Sequence, residues 1–352
     1  MDIAFINLTH HEKSKSSAWF VDHLSKTYTV GTFSYDADNS VIHDILIAKP
    51  KLIVCWQVDF LVPWFIAHGQ KAISVPMADA CENMPSAYFE LISLFGSISF
   101  TGLIADKISA ANGATVKLEY WPKPNFDLGA KRKNFCFLGV RKTDFEFPIE
   151  LIKRLRGQGK KCHIHNSIDS YLPTDHSIRF DSQYFEDKND LNKLLLNSEY
   201  FICPRPCEGI GLSYLHALSL GCIPIGVDGP GMQDYIQHGV TGFLFNPKDK
   251  KFKTLLKDIR ECDTEAIRSN IYKQLESNQS RMNDQLKNVE IYINQLINLT
   301  EEEFRPFIKR LKIGRIINPT RVLNGRYVHG VSLISAFASI IGIRQRLPRF
   351  IK

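Results

Sequence analysis

The feature that most constrains the fold of this chain is the alternation, from the first residues onward, of short β-rich apolar runs with helical patterns. The series reads "IAFIN", a helical "SSAWFVDHLSKT", then "YTVGTFSY", "HDILIAKP", "KLIVCW", "KAISV", "SISFTG" and "TVKLEYW". Strand, helix, strand order with short connections implies a parallel sheet covered on both faces. A Pro-, Lys- and Gly-bearing stretch, "PKPNFDLGAKRK", follows Trp121, has neither period, and reads as a linker. The alternation restarts with "NFCFLG", a helical "FPIELIKRLRGQG", "KCHIH", "DLNKLLLNS", "EYFICP", "GLSYLHALSLG", "IPIGV" and "GFLF". Beyond Asn246 the pattern is helical through about Leu311, with a long polar-faced run from Glu276 to Leu299. The expected architecture is α/β, with two Rossmann-like doubly wound domains over 1–123 and 134–300 and a basic segment over 301–352. Such domains bind ligands in the crevice outside their strand C-terminal ends.

Composition agrees with a globular protein of two domains. The chain has 352 residues, more than a single core usually organises, and is 44% hydrophobic and 23% charged. Eight cysteines are scattered without a CxxC pair, mostly inside apolar runs, which suits buried thiols in a reducing compartment. At the N-terminus an acid comes first, then the apolar run, then the basic residues, the wrong order for a secretory signal. The run "LIVCWQVDFLVPWFIAHG" is interrupted by Gln57, Asp59 and Pro63 and reads as strand, loop and helix rather than as a membrane span. A cytoplasmic protein is expected. The net charge of +7 is unevenly placed: Phe304–Lys352 holds eleven Lys and Arg and no acid, so residues 1–303 are net acidic by four.

One loop carries the clearest chemistry. After the strand "EYFICP", the loop "RPCEG" leads into a helix whose first turn holds Gly209, Ile210, Gly211 and Leu212. Two glycines let a ligand approach the backbone, and the free amides and positive dipole end of a helix attract phosphate. Glu208, directly before them, would repel an anion sharing its own spot. Its carboxylate therefore suits neutral hydroxyls or a developing positive charge nearby, and a sugar carried on a diphosphate offers both.

Here the sequence resembles the nucleotide-sugar glycosyltransferases of the GT-B fold, specifically the large retaining group with a Glu-Gly-Phe-Gly motif and a second Glu separated from the first by seven residues. "EGIG" matches the first part, "HALSLG" the middle and "IPIG" the end. Downstream, "GPGMQDYIQHGVTGFLFNPKD" resembles that group's Gly-rich loop and closing hairpin, with Asp234 where those enzymes usually carry Glu. Upstream, "NFCFLGVRK" is similar to the first donor-domain strand, ending in a diphosphate-gripping arginine.

The resemblance implies two domains facing a central cleft and a nucleotide-diphosphate sugar as co-substrate, with no metal or other cofactor. It implies that Glu208 contacts the donor hexose and that the amides of Gly211 and Leu212 hold the departing phosphate. Arg141 has a planar fork suited to phosphate, and Lys142 adds a second charge. Arg205, on the Glu208 loop, supplies a further cation or pairs with Glu208. His216 stands where the family has its second Glu; a neutral imidazole accepts one ribose hydrogen bond but cannot hold both hydroxyls. It is either a site-facing group about two helical turns beyond Glu208 or a helix-face histidine satisfied locally.

In the first half, His10, His11 and Asp79 follow strands and fall where that domain faces the crevice. His10 or Asp79 could position or deprotonate an acceptor hydroxyl, and His11 reads as an ordinary loop polar group. His163 and His165 share a strand face without an evident third metal ligand. The apolar part of "GVSLISAFASIIGIRQRLPRFIK" is shorter than the roughly 20 residues of a membrane crossing. With Arg344, Arg346, Arg349 and Lys352 it suits an anionic membrane surface, at roughly 1 kcal/mol per charge, or a return onto the first domain. No nucleic-acid reading motif accompanies the charge.

The expected function is transfer of a sugar from a nucleotide-diphosphate donor to a hydroxyl of a glycan or lipid-linked glycan acceptor, with retention, in surface polysaccharide or glycoconjugate synthesis. The alternatives are an inverting transferase with a first-domain base, or a non-catalytic sugar-nucleotide binding or assembly partner.

Overall fold

The computed structural model describes residues 1–36, 40–130, 132–140, 146–166, 181–182, 188–203, 205, 207–246, 248–249 and 252–311. These form two units. Met1–Leu118 joins with the chain from Leu286 onward in the first, and Glu119–Gln285 makes the second.

The first unit is a six-stranded sheet of β1 (Ile3–Leu8), β2 (Val30–Tyr35), β3 (Leu52–Trp56), β4 (Ala72–Val75), β5 (Ser97–Ser99) and β6 (Thr115–Lys117). The order is β2-β1-β3-β4-β5-β6, and every paired strand is parallel. Buried on both faces, β3 and β4 are continuous apolar runs with no exposed residue. At the centre Trp56 packs against Phe5, Phe20 and Phe100 with ring centroids 5.7, 5.6 and 5.3 Å apart. The run after β3 becomes a short 3-10 turn, Asp59–Leu61, and a helix, Val62–Ala67, as its interruptions imply.

The second unit is a five-stranded parallel sheet of β7 (Lys133–Val140), β8 (Lys161–Asn166), β9 (Ser198–Ile202), β10 (Ile223–Val227) and β11 (Phe243–Phe245). Its order is β11-β10-β9-β7-β8. Read from the edge next to the first strand of each sheet, both orders begin 2-1-3-4-5. The chain reverses direction across the sheet between strands 1 and 3, and that switch point is where open α/β sheets bind ligands.

A helix over Thr264–Asn298 begins in the second unit and ends in the first. It starts twelve residues before the run that the polar pattern marks, because Asp263 Oδ1 accepts from the amides of Glu265 and Ala266, at 3.0 and 3.1 Å, and so caps the first turn. In the second unit, the amide of Glu119 donates to Gln285 Oε1 at 2.8 Å, and the Glu119 carboxylate pairs with Arg281. In the first, Lys71 Nζ donates to the carbonyls of Ile297 and Leu299, at 2.7 and 2.6 Å. A last helix, Glu301–Arg310, packs Phe304 and Phe307 on Phe95. All eight cysteines are free, and seven are buried. No helix among the described residues is long and apolar enough to cross a membrane.

Gly96 lets the end of the long helix sit against β5, since a Cβ there would lie 2.2 Å from the Tyr292 hydroxyl and 3.1 Å from its Cζ. Gly96→Ala should therefore destabilise by about 1–3 kcal/mol through overpacking. Adding Tyr292→Phe, which removes the oxygen in the way, should recover most of that loss. Denaturant unfolding of the two single variants and the double variant measures the coupling; strictly additive effects would show that this contact is not what requires glycine.

Candidate functional site

The switch point of the second sheet lies between β7 and β9, and the chain leaving β9 builds the site there. Its strand is apolar because both faces are covered, with Tyr200, Phe201 and Ile202 buried. The loop continues through Cys203, Cys207, Glu208, Gly209 and Ile210, all buried, to Gly211. Gly211 caps the helix Leu212–Ser219 in the left-handed conformation, φ +74°, and no side chain occupies the cap. A Cβ at this position would stand 2.0 Å from the Tyr214 ring, so both backbone angle and space demand glycine. The first turn holds no acid, and no side chain caps its amides.

Glu208 is 6% exposed. Its charge bears on two buried neighbours. Burial, reinforced by Glu208, pushes the Cys203 thiol well above its ordinary value. Burial, then Tyr235 and Cys203, then Glu208 and Asp234, push the Tyr214 phenol well up. Glu208 and Asp234, separate motifs in the sequence, thus converge on one buried tyrosine, and Tyr214 and Tyr235 pack edge to face at 5.9 Å. Tyr214 is the group that sequence reasoning missed; its only signal is its position on the first turn after the glycine pair.

The other residues singled out from the sequence fall as follows. Arg205 is half-buried on the same loop as Glu208. His216 is exposed, and its Nε2 lies 2.7 Å from Asn192 Oδ1 on the helix Lys188–Asn197, so it has a local partner. Arg141 and Lys142 lie outside the described residues, as does the segment beyond Leu311. His163 and His165 share the Ser182 hydroxyl, at 2.7 and 2.9 Å, and stack on Phe137. No group of three or more His, Cys, Asp or Glu among the described residues is arranged to hold a metal ion.

In the first unit the switch point lies between β1 and β3. His10 and Asp79 are exposed, at the starts of the helices His10–Ser14 and Ala78–Cys81. His11, by contrast, is built into the switch point. It is 6% exposed, its Nε2 lies 2.5 Å from Gln57 Oε1 at the end of β3, and its Nδ1 bonds the Ser16 hydroxyl. Gln57 has φ +59°, a conformation costly for a residue other than glycine. Burial, then the neighbouring His10, lower the His11 pKa to about 4, against the Gln57 bond, which raises it. Two residues beyond Gln57, burial raises the Asp59 carboxyl to about 6.

Two parallel-sheet α/β units of this kind make up the GT-B fold, which the solved structures below share. Residues 157–277, which include the Glu208 loop and its helix, match the family Glycosyl transferases group 1. Among solved structures the chain is similar to sucrose-phosphate synthase from Thermosynechococcus elongatus, with a TM-score of 0.65 and 12% identity over 84% of this chain and 99% of that one. It is also similar to Anabaena HepE in complex with UDP, with a TM-score of 0.62 and 13% identity over 83% of this chain and 100% of that one. At such identities these likenesses carry the fold. A glycogen synthase of Pseudomonas fluorescens is 35% identical over 60 residues, which are 17% of this chain and 12% of that protein. The chain therefore spans a small part of the curated relatives it matches.

His11 and Asp59 make opposite contributions to stability as pH changes. Between pH about 4 and 6.5 the unfolded chain binds more protons at His11 than the folded protein does, so this term strengthens folding as pH rises. Between 3.8 and about 6 the folded protein binds more at Asp59, so that term weakens folding as pH rises. His11→Gln should expose the Asp59 slope and Asp59→Asn the His11 slope. Unfolding free energies at pH 4–7, taken as differences from wild type, should therefore slope in opposite senses, and parallel differences would refute the assignment.

Proposed function

We propose that the protein is a glycosyltransferase that uses a nucleotide-diphosphate sugar held by its second unit. The observation that carries this reading is the buried Glu208 shortly before the helix start at Gly211, which no side chain caps, at the switch point of the second sheet and within the residues that match the family. The diphosphate rests on the amides of Gly211 and Leu212, where the helix dipole adds attraction. Glu208 faces the hexose hydroxyls and the positive charge that builds on the sugar in the transition state. Arg205 lies on the same loop as a candidate second cation, and Arg141 and Lys142 complete the phosphate grip by resemblance. His216 accepts at most one bond from the ribose. Anabaena HepE binds UDP and UDP-glucose, which supports a uridine nucleotide as the first donor to try.

Transfer proceeds with retention. The bond from the anomeric carbon to the phosphate oxygen breaks, a bond to the acceptor oxygen forms on the same face, and the acceptor proton passes to the departing phosphate. No other base is required. The acceptor is a hydroxyl of a glycan or lipid-linked glycan, met by the first unit. Reaction at the inner face of a membrane, with the basic segment on anionic lipid, follows if the acceptor is lipid-linked.

UDP and the other nucleotide diphosphates should raise the melting temperature of wild type, and Gly211→Ala should abolish that rise. Glu208→Gln should keep the rise while lowering turnover by about 10²-fold or more. Wild-type transfer rates in Glu208→Gln would reject its catalytic role, and a product of inverted anomeric configuration by NMR would reject retention.

A further inference from the structure

A second, independent feature lies at the other end of the second sheet, where β9 and β10 begin. Arg132 immediately precedes β7, and its Nη1 donates to the carbonyls of Leu195 and Ser198, at 3.2 and 2.9 Å. Its Nη2 donates to the carbonyl of Leu220, at the end of the Gly211 helix. The guanidinium lies 5.8 Å from the centre of the Phe126 ring, and Nη1 is 4.0 Å from Cys222 Sγ. Its Nε is fully buried and meets no hydrogen-bond acceptor.

Arg268, on the long helix, is 5% exposed. Its Nε and Nη1 are also fully buried and meet no acceptor, and it forms no ion pair among the described residues. Tyr272, one helical turn further on, packs edge to face on Phe126 at 5.7 Å, the same ring that lies beneath Arg132. The two arginines therefore share one wall. The charge of Arg268 acts on both Arg132 and Cys222. The acid that acts on Arg132 is Glu199, whose carboxylate lies 3.9 Å from Lys160. Arg132, Arg268 and Lys160 here stand against Glu199 and the Glu276 carboxylate bonded to Tyr272, and three buried guanidinium nitrogens face no acceptor.

A buried guanidinium without a counter-charge is strongly unfavourable, and its fork of donors matches the oxygens of a phosphate. Gly221 keeps the place open, since a Cβ there would lie 2.5 Å from Arg132 Nη2. We propose that Arg132 and Arg268, walled by Phe126 and Tyr272, bind a phosphate group at the strand N-terminal ends of the second sheet. This site is separate from the Glu208 loop and does not depend on the transferase reading.

Equilibrium dialysis of the full chain against labelled inorganic phosphate tests it. Gly211→Ala, which closes the helix start at the other end of the sheet, should retain one bound phosphate. Arg268→Met should lose it, with affinity weakened at least tenfold, and Arg268→Lys should fall between. Competition by glycerol phosphate separates the two sources, since a monoester ligand competes and a site for free phosphate alone excludes it. In phosphate-free buffer Arg268→Met should melt higher than wild type, because an unpaired buried charge is gone. Phosphate binding that disappears with Gly211→Ala, equal binding in Arg268→Met, or a lower melting temperature for that variant without phosphate would each overturn the proposal.

Discussion

The second unit depends on one backbone constraint, the left-handed turn at Gly211 with the Tyr214 ring packed directly against it. The turn ends the loop that follows β9 and opens the helix Leu212–Ser219. Glycine leaves the helix start without a capping side chain, and Tyr214, buried on the first turn, holds that start in place. A carboxylate three residues earlier can then be buried, because the positive end of the helix offsets part of its desolvation, by about 0.3–1 kcal/mol and up to ~2 where partly buried. Any side chain at 211 would displace Tyr214 and with it the convergence of Glu208 and Asp234 on that phenol.

The two sheets share a strand order but equip their switch points with different chemistry. In the second, the donors are backbone amides at a helix start, suited to a delocalised anion. In the first, the chain places side chains: His11, Gln57 and Ser16 are linked in a short series, and burial together with His10 keeps the imidazole neutral near pH 7 against the Gln57 bond.

The alternation of runs was enough to read both sheets, since the central strands such as β3 and β10 are short runs buried along their whole length. The glycine pair and Glu208 were also legible, because glycine at a helix start leaves a local signature. What the sequence concealed was set by distant contacts. His10 and His11 are neighbours with the same side chain, and only Gln57, 46 residues away, makes the second the buried one. His216 is exposed and bonded to Asn192, 24 residues earlier, a partner its own helix does not reveal. Tyr214 reads as one aromatic among many until the Gly211 geometry gives it a purpose, and the unpaired donors of Arg268 have no pattern in the sequence at all.

The short helix Leu212–Ser219 ties the two ends of the second sheet together electrostatically. Its C-terminal carbonyl at Leu220 is held by the Arg132 guanidinium, which neutralises the negative end of the dipole. Its N-terminal end has no acid in the first turn and no capping side chain, so the positive end is left available. A cation at one end and an open start at the other make the helix a better anion binder than its eight residues would be alone, since its own carbonyl end no longer opposes the field. Arg132 thus bears on the Gly211 helix start indirectly, through the helix it caps. An anion beside Arg132 and Arg268 would weaken that capping charge, so occupancy at one end of the sheet should lower the attraction for phosphate at the other.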